Sequence, residues 1–239
     1  SSDLDSSNMI RGKYTLSRIK KGTDSKNYII SLSSKKKFIL KIYEKGKEPE
    51  IKYEIDILNK LKSAAFIGKH VPYVIKKNFY ICGLPSLIFN YLPGRPLTKK
   101  DINPHLIKLI AKKHANLHHA LLKFTSHYRR DRYSIFDLNF LKIQLDGSSR
   151  ISKVIHNEIK LLQKDRLMIK NKSFSKSIIH EDLNMDNILL SRNKKIYFID
   201  FGDSHNAEVI SDIATAIKEI IIKNKGLNFS LIEKYLETY

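Results

Sequence analysis

The sequence has 239 residues, of which 42% are hydrophobic and 10% aromatic, and its formal net charge is +20. This length and composition allow one large domain or two lobes around a buried core, and they argue against a disordered chain. No apolar stretch is long enough to span a bilayer, and Cys82 is the only cysteine, which excludes an internal disulfide and a multi-cysteine metal site.

The positive charge has two interpretations. A net charge of +20 favours contact with nucleic acid. The excess is mostly lysine scattered as pairs among many isoleucines and asparagines, however, and codon bias in an AT-rich genome gives the same composition. We therefore predict a protein without a nucleic-acid partner. The N-terminal SSDLDSSNM lacks the apolar core of a signal peptide, so we expect a cytoplasmic location with no membrane contact.

The first part of the chain is rich in predicted strands. Residues 28–32 and 37–43 are β-rich runs, and in the second run Lys41 lies on the face opposite Leu40. A helix follows over 50–62, with an apolar stripe of Ile51, Ile55, Leu58 and Leu61. Two further strands, 73–79 and 84–89, enclose a turn at Cys82-Gly83, where we expect the cysteine to be a small core residue.

Helical patterns dominate the rest of the chain. Residues 90–97 contain Pro-Gly-Arg-Pro, which breaks the β pattern and predicts a connector. Apolar residues then recur at helical spacing over 103–124, 152–164, 209–223 and 230–236. The order predicts an α+β protein in which a β-rich first part, 1–92, precedes a mainly helical second part, 93–239.

The segment 178–203 carries the strongest functional signal, with the sequence IIHEDLNMDNILLSRNKKIYFIDFGD. Asp182 and Asn187 precede one apolar run, and a second apolar run ends at Asp200. We expect these runs to form a β-hairpin, which brings the three side chains together. Each residue alone is commonly a turn former. Together they offer hard oxygen ligands for Mg²⁺ and a separate carboxylate that orients a nucleophile.

These motifs resemble those of the aminoglycoside phosphotransferase and choline kinase superfamily, which are small-molecule kinases with a protein-kinase-like fold. Protein kinases contain His-Arg-Asp-Leu-x-x-x-Asn and Asp-Phe-Gly. Here Glu181 replaces the arginine, and no long activation segment separates Gly202 from Asp212. Both differences favour the small-molecule branch, and residues 199–204 are similar to those of type II homoserine kinases.

The resemblance implies a protein kinase-like two-lobe fold. An N-terminal nucleotide-binding lobe, 1–92, would consist of an antiparallel sheet with one key helix. A helical catalytic and acceptor-binding lobe, 93–239, would follow.

The resemblance also assigns roles around the hairpin, with ATP and Mg²⁺ as the implied cofactors. Asp182 would be the catalytic base, and Asn187 and Asp200 would hold Mg²⁺. His180 would be a structural residue that supports the loop. Asp212 would brace the same loop from the start of a helix, and a simple helix N-cap is the alternative.

Nucleotide contacts are implied for the first part of the chain. Lys41 would contact the α- and β-phosphates, with Glu54 as its ion-pair partner and Glu50 as the rival. Ser25 lies in a turn, 21–27, that either approaches phosphate or is an ordinary hairpin turn.

Two further positions follow from the same resemblance. Backbone groups between Asn90 and Leu92 would bind the adenine edge. His118 is expected to be a buried structural histidine.

The lead hypothesis is a kinase that phosphorylates a hydroxyl of a small amino alcohol such as homoserine, choline, ethanolamine or an aminoglycoside. A kinase acting on a protein or lipid and a non-catalytic nucleotide- or nucleic-acid-binding module are the alternatives.

The acceptor site is expected among residues 125–150, His205-Asn206 and the last helix. Within the first of these, Tyr128, Arg129, Arg132 and Tyr133 either bind an anionic group or form a solvated loop. The sequence ends earlier than type II homoserine kinases do, so the acceptor site is either curtailed or completed by another subunit of a dimer.

Overall fold

A five-stranded antiparallel sheet forms most of the first part of the chain. The computed structural model describes residues 13–19, 25–64, 69–126, 128, 149–169 and 173–239. The strands are β1 (Tyr14–Ile19), β2 (Ser25–Leu32), β3 (Lys37–Tyr43), β4 (Val74–Ile81) and β5 (Leu84–Asn90). They lie in the order β1-β2-β3-β5-β4, and every neighbouring pair is antiparallel. Strand β3 is therefore central, and Lys41 is held between Asn27 of β2 and Leu87 of β5.

The two faces of β3 have different surroundings, as its alternating sequence predicts. Leu40 packs with Ile30 and Ile88 in a small core on one face of the sheet. Lys41 lies on the other face, beside a cleft. Because successive side chains of a strand point to opposite faces, burying Leu40 directs Lys41 into the cleft.

The environment of Cys82 differs from the prediction. The residue was expected to be buried, but it is exposed. Cys82 and Gly83 form the tip of the hairpin between β4 and β5, with φ angles of 51° and 74°. A two-residue loop with positive φ at both positions matches the twist of the strands that it joins. Its side chains project from the sheet edge, so Cys82 does not enter the core.

One helix, α1 (Glu48–Lys62), packs beside the sheet. It begins two residues earlier than predicted, because Pro49 occupies the first turn, where a missing N–H costs nothing. The predicted apolar stripe is confirmed as buried, and Glu54 is buried with it at 3% exposure.

The second part of the chain is mostly helical, with short strands. The main helices are α2 (Pro104–Leu121) and α3 (Arg150–Ile169). After them come α4 (Val209–Ala216), α5 (Lys223–Lys225) and α6 (Phe229–Thr238). The predicted helix 209–223 is interrupted by a π-helical segment, Ile217–Ile222, which links α4 to α5.

Five short strands accompany these helices. The predicted hairpin is confirmed as β8 (Ile188–Leu190) paired with β9 (Ile196–Phe198), and β6 (Arg95–Pro96) extends it. Strand β7 (Lys176–Ile179) pairs with β10 (His205–Glu208). This pairing fixes both ends of the segment that contains the Asp182 and Asp200 motifs.

A single apolar cluster connects these elements. It contains residues of α1, α2, the hairpin and α6, among them Leu58, Leu61, Ile107, Ile110, Ile188, Phe198, Leu231 and Tyr235. The hairpin therefore shares one apolar core with helices α1, α2 and α6. None of the described helices is long and apolar enough to cross a membrane.

Candidate active site

A cleft of about 530 Å³ lies between the sheet and the hairpin. Its lining includes all eight residues predicted for catalysis, nucleotide or metal: Ser25, Lys41, Glu54, Asn90, Leu92, Asp182, Asn187 and Asp200. Residues far apart in sequence therefore converge on one site.

Lys41 forms a buried ion pair with Glu54. The Lys41 Nζ lies 3.4 Å from Glu54 Oε1, and the exposed fractions of the two side chains are 10% and 4%. Of the two carboxylates considered as partners, the structure selects Glu54. Glu50 lies one turn earlier and pairs instead with Lys47 at 3.9 Å.

The ammonium of Lys41 also contacts Asp200. Its Nζ donates to Asp200 Oδ1 at 2.8 Å, which links the sheet to the end of the hairpin. Burial opposes the charge on Lys41, but Glu54 and then Asp200 outweigh this effect and hold the pKa of Lys41 well above its usual value. The same pairing lowers the pKa of Asp200. Lys41 and Asp200 are therefore both charged at neutral pH.

Tyr43 completes this group and was not identified from the sequence. Its hydroxyl donates to Glu54 Oε2 at 2.8 Å, and Lys41 Nζ lies 4.9 Å from the centre of its ring. Burial raises the pKa of Tyr43 well above its usual value, so the hydroxyl stays a donor. The i, i+2 spacing of Lys41 and Tyr43 on one strand face was the available signal.

The carboxylate of Asp182 is oriented by two amides. Asn187 Nδ2 donates to Asp182 Oδ2 at 2.8 Å, and Asn184 Nδ2 donates to Oδ1 at 2.8 Å. Because a carboxylate only accepts, both amide groups must turn their nitrogens toward Asp182. The side-chain oxygen of Asn187 then faces away from Asp182.

Asp200 occupies a strained position at the end of the hairpin. Its φ and ψ are 66° and 71°, in the left-handed region that is unfavourable for most residues. The side chain nevertheless keeps 42% exposure toward the cleft. A strained backbone that presents a charged group to a cleft is typical of functional sites.

The donor set suits a hard divalent cation. Asn187 and Asp200 both line the cleft, and their side chains carry the oxygen donors that Mg²⁺ prefers. Lys41 places a positive charge on Asp200 at 2.8 Å, so the carboxylate already sits in the environment of a cation. The residues therefore fit the metal implied by the motifs.

Part of the cleft lining is apolar. It includes Ile29, Ile39, Phe89, Leu189 and Ile199. A flat heterocycle fits between such side chains. Asn90 borders this region, but its backbone N–H donates to the Tyr73 carbonyl at 3.2 Å and its side chain accepts from the Tyr73 N–H at 2.7 Å. The backbone N–H and the side-chain oxygen of Asn90 are thus already engaged within the protein.

The predicted phosphate-binding turn is described only in part. Ser25 and Asn27 line the cleft, and the Ser25 hydroxyl donates to Asn27 Oδ1 at 3.5 Å. Positions 20–24 lie outside the described residues. The acceptor candidates Arg129, Arg132 and Tyr133 lie outside them as well.

Asp212 supports the loop that carries Asp182, as predicted. Its Oδ2 accepts the backbone N–H of His180 at 2.8 Å, and its Oδ1 accepts that of Glu181 at 2.9 Å. The N-cap alternative is wrong, because Glu208 occupies the cap position of α4. His180 is fully buried and donates from Nε2 to the Ile199 carbonyl at 3.0 Å, which ties the loop to the hairpin.

Two histidines of α2 approach Asp212 from the other side. His118 is buried, as predicted, and its Nε2 lies 2.9 Å from Asp212 Oδ2. His114 makes the same contact at 2.9 Å and was not identified from the sequence. The i, i+4 spacing of these histidines on one helix face was the signal that could have found it.

The comparisons with known proteins agree with this architecture. The chain is similar to the amicoumacin kinase hAmiN, solved in complex with AMP-PNP and Ca²⁺, with a TM-score of 0.72 and 16% identity, over 98% of this chain and 74% of that one. It is also similar to a choline kinase from Cryptosporidium parvum, with a TM-score of 0.67 and 21% identity, over 98% and 74% of the two chains. The predicted α+β, protein kinase-like fold is therefore confirmed.

Sequence comparisons give the family. The chain is 26% identical over 155 residues to the hydroxylysine kinase of Bos taurus, which covers 58% of this chain and 41% of the bovine protein. The chain thus spans less than half of the length of that relative. The profile of the phosphotransferase enzyme family (APH) matches residues 15–230, which include the whole cleft from Ile19 to Asp203. The chain therefore belongs to the phosphotransferase enzyme family.

Proposed function

We propose that this protein is an ATP-dependent kinase that transfers the γ-phosphate to a hydroxyl of a small amino alcohol. The observation that carries the proposal is the convergence of a Lys41–Glu54 ion pair, Asp200 and an amide-oriented Asp182 on one cleft. A non-catalytic binding module would not need all of these groups in one cleft.

The relatives support the proposed acceptor class. Their names include kinases of hydroxylysine, choline and aminopropanol, and each of these compounds carries an amine and a hydroxyl. Homoserine, ethanolamine and aminoglycosides belong to the same class of compound and are further candidate acceptors.

We assign one set of residues to the nucleotide and another to the acceptor. Lys41 would bind phosphate oxygens with its ammonium, while Glu54 and Tyr43 fix its direction. Asp182, whose carboxylate is held by Asn184 and Asn187, would accept the proton of the acceptor hydroxyl and hold it in line with the phosphate.

A divalent cation would be held by Asn187 and Asp200. When bound, Mg²⁺ offsets negative charge on the phosphate oxygens during transfer. The Asn187 amide would then serve both sides of the site, because its nitrogen orients Asp182 and its oxygen faces away.

The test is ADP formation from Mg·ATP in the presence of each candidate amino alcohol. We expect one or a few compounds to be phosphorylated. If the protein binds Mg·ATP but phosphorylates none of them, while RNA binding falls steeply with salt, the proposal fails and the nucleic-acid alternative replaces it.

The variant Asp182→Ala tests the assigned base. We expect turnover to fall by about 10²–10⁴-fold, the usual contribution of a positioned acid or base. The affinity for Mg·ATP should be largely retained, because Lys41 and Asp200 are unchanged. Asp165→Ala, an exposed acid on α3, is the matched control and should leave both quantities unchanged. Lost ATP affinity with unaltered single-turnover chemistry would contradict the role of Asp182.

A further inference from the structure

A buried hydrogen-bonded network connects two tyrosines at the C-terminal side of the fold to the loop before Asp182. Tyr235, on α6, has its hydroxyl 2.6 Å from His114 Nδ1. The hydroxyl of Tyr239, which follows α6, contacts His118 Nδ1 in the same way. Both histidines then contact Asp212 through Nε2. The two paths meet at one carboxylate.

Asp212 is fully buried and accepts four hydrogen bonds. Two come from the histidine side chains and two from the backbone N–H groups of His180 and Glu181. Three of these bonds end on Oδ2 and one on Oδ1. His114, His118 and Asp212 are also residue types that bind metals. Here, however, both Asp212 oxygens accept N–H groups, and these hydrogen bonds account for the positions of the two histidines.

The directions of the hydrogen bonds through His114 are fixed. Since the Asp212 carboxylate only accepts, both histidines carry a proton on the Nε2 that contacts it. In the neutral His114 ring Nδ1 is then an acceptor, so the Tyr235 hydroxyl must donate to it. Burial lowers the pKa of His114 to about 4, although Asp212 acts in the opposite direction, so this histidine is neutral at pH 7. Burial and then Asp212 raise the pKa of Tyr235 well above its usual value, so its hydroxyl remains protonated.

The network acts on a strained part of the backbone. Glu181 has a φ of 70°, in the left-handed region that costs about 1 kcal/mol or more for a residue with a side chain. It directly precedes Asp182. The two N–H groups that Asp212 accepts belong to Glu181 and to the residue before it. Asp212 therefore stabilises the strained turn that sets the direction of Asp182.

We propose that Tyr235 and Tyr239 are positioning residues for the loop that carries Asp182, acting through His114, His118 and Asp212. The tyrosine hydroxyls hold the two histidine rings in one orientation. The rings in turn hold the Asp212 carboxylate in line with the His180 and Glu181 amides. The catalytic consequence rests on the proposed function, whereas the effect on the loop does not.

Amide hydrogen exchange measures the effect on the loop without any acceptor. In Tyr235→Phe we expect the amides of His180 and Glu181 to exchange about fivefold to tenfold faster, which corresponds to the loss of about one buried hydrogen bond. The amides of β3 and β5 should not change. Tyr197→Phe, which removes the hydroxyl of a buried tyrosine on β9 outside the cleft lining, is the control and should leave the His180 and Glu181 amides unchanged.

Variants of His114 separate positioning from packing. His114→Gln keeps one donor and one acceptor, whereas His114→Leu keeps neither. We expect turnover to fall about tenfold in His114→Leu and to be largely restored in His114→Gln, with little change in the KM for ATP, because one to two hydrogen bonds support the loop.

Two outcomes would overturn the positioning role. One is unchanged exchange at His180 and Glu181 in Tyr235→Phe. The other is equal acceleration across β3 and β5, which would show a general loss of stability. An intact exchange response in a protein that phosphorylates no acceptor would instead overturn only the proposed function.

Discussion

At the residue scale, the ion pairs around Lys41 set the electrostatics of the cleft. One ammonium serves two carboxylates, those of Glu54 and Asp200, which come from a helix and from the end of a hairpin. Glu54 is almost completely buried, and a buried charge without a partner costs several kcal/mol. Lys41 therefore stabilises the fold, and its ammonium is the group that we propose binds the phosphates.

The variant Lys41→Met removes this charge while keeping the length of the side chain. We expect a loss of roughly 3 kcal/mol in the free energy of unfolding, because Glu54 is left buried without its cation. Binding of Mg·ATP should weaken strongly. Urea unfolding and calorimetric titration measure the two effects. Lys26→Met, at an exposed position on the neighbouring strand β2, should be close to wild type. Similar losses in both variants would show that Lys41 has no special role.

At the element scale, local patterns predicted the parts of the site that depend on short stretches of sequence. The alternation in β3 placed Lys41 on the cleft face, and the apolar stripe of α1 placed Glu54 beside it. The hairpin between β8 and β9 followed from two apolar runs and a polar turn. These elements form from neighbouring residues, so their sequences carry the information.

Features that depend on distant contacts were not predicted. In the sequence, His114 is one more residue on the buried face of α2. Its partners Asp212 and Tyr235 are about 100 residues away in the chain, and only the fold brings them next to it. Strand β10 is too short to show a pattern, and it exists because it pairs with β7. Cys82 was expected in the core, but the φ angles of a two-residue turn, which the sequence does not show directly, direct it outward.

Gly94, in the connector before β6, lies close to strand β8, and this close approach can be tested. A Cβ at Gly94 would lie 3.0 Å from Leu189 Cβ and 3.2 Å from the Leu190 carbonyl carbon, and the latter is backbone that cannot yield easily. We expect Gly94→Ala to destabilise the protein by about 1–3 kcal/mol, as overpacking usually does. Chemical denaturation measures this. Gly202→Ala, whose added Cβ would meet its nearest atom at 3.4 Å, is the control and should cost less. Equal stability of both variants would contradict the close approach.

At the scale of the whole molecule, the described lining of the cleft is acidic although the protein is basic. Among the described residues the lining contains six acidic residues and two lysines, Lys41 and Lys47, whereas the chain has a net charge of +20. The cleft is thus an acidic region in a basic protein. A nucleotide would enter with its divalent cation, and the amine of an amino alcohol would meet favourable charge. Most basic residues lie outside this lining, so the net charge of the chain does not describe the charge of the cleft.

Stability of the whole protein should depend on pH through the buried histidine. The pKa of His114 is lowered to about 4, from an ordinary value of 6.5. Between these values the unfolded chain binds a proton at this position and the folded protein does not. The free energy of unfolding therefore falls as the pH decreases from about 6.5 to about 4, by up to roughly 3 kcal/mol from this residue. The carboxylates with lowered pKa values, such as Asp200, contribute mainly below this window.

The measurement is the urea midpoint as a function of pH for wild type, His114→Gln and His119→Gln. Glutamine does not titrate, so the first variant should show a shallower decrease between pH 6.5 and 4. His119 is exposed on the same helix, and its replacement should leave the decrease unchanged. If His114→Gln loses stability as steeply as wild type over this window, the neutral state of His114 in the folded protein is wrong. The tautomer assignment in the network that supports Asp182 would then have to be revised, because it requires His114 to carry a single proton on Nε2.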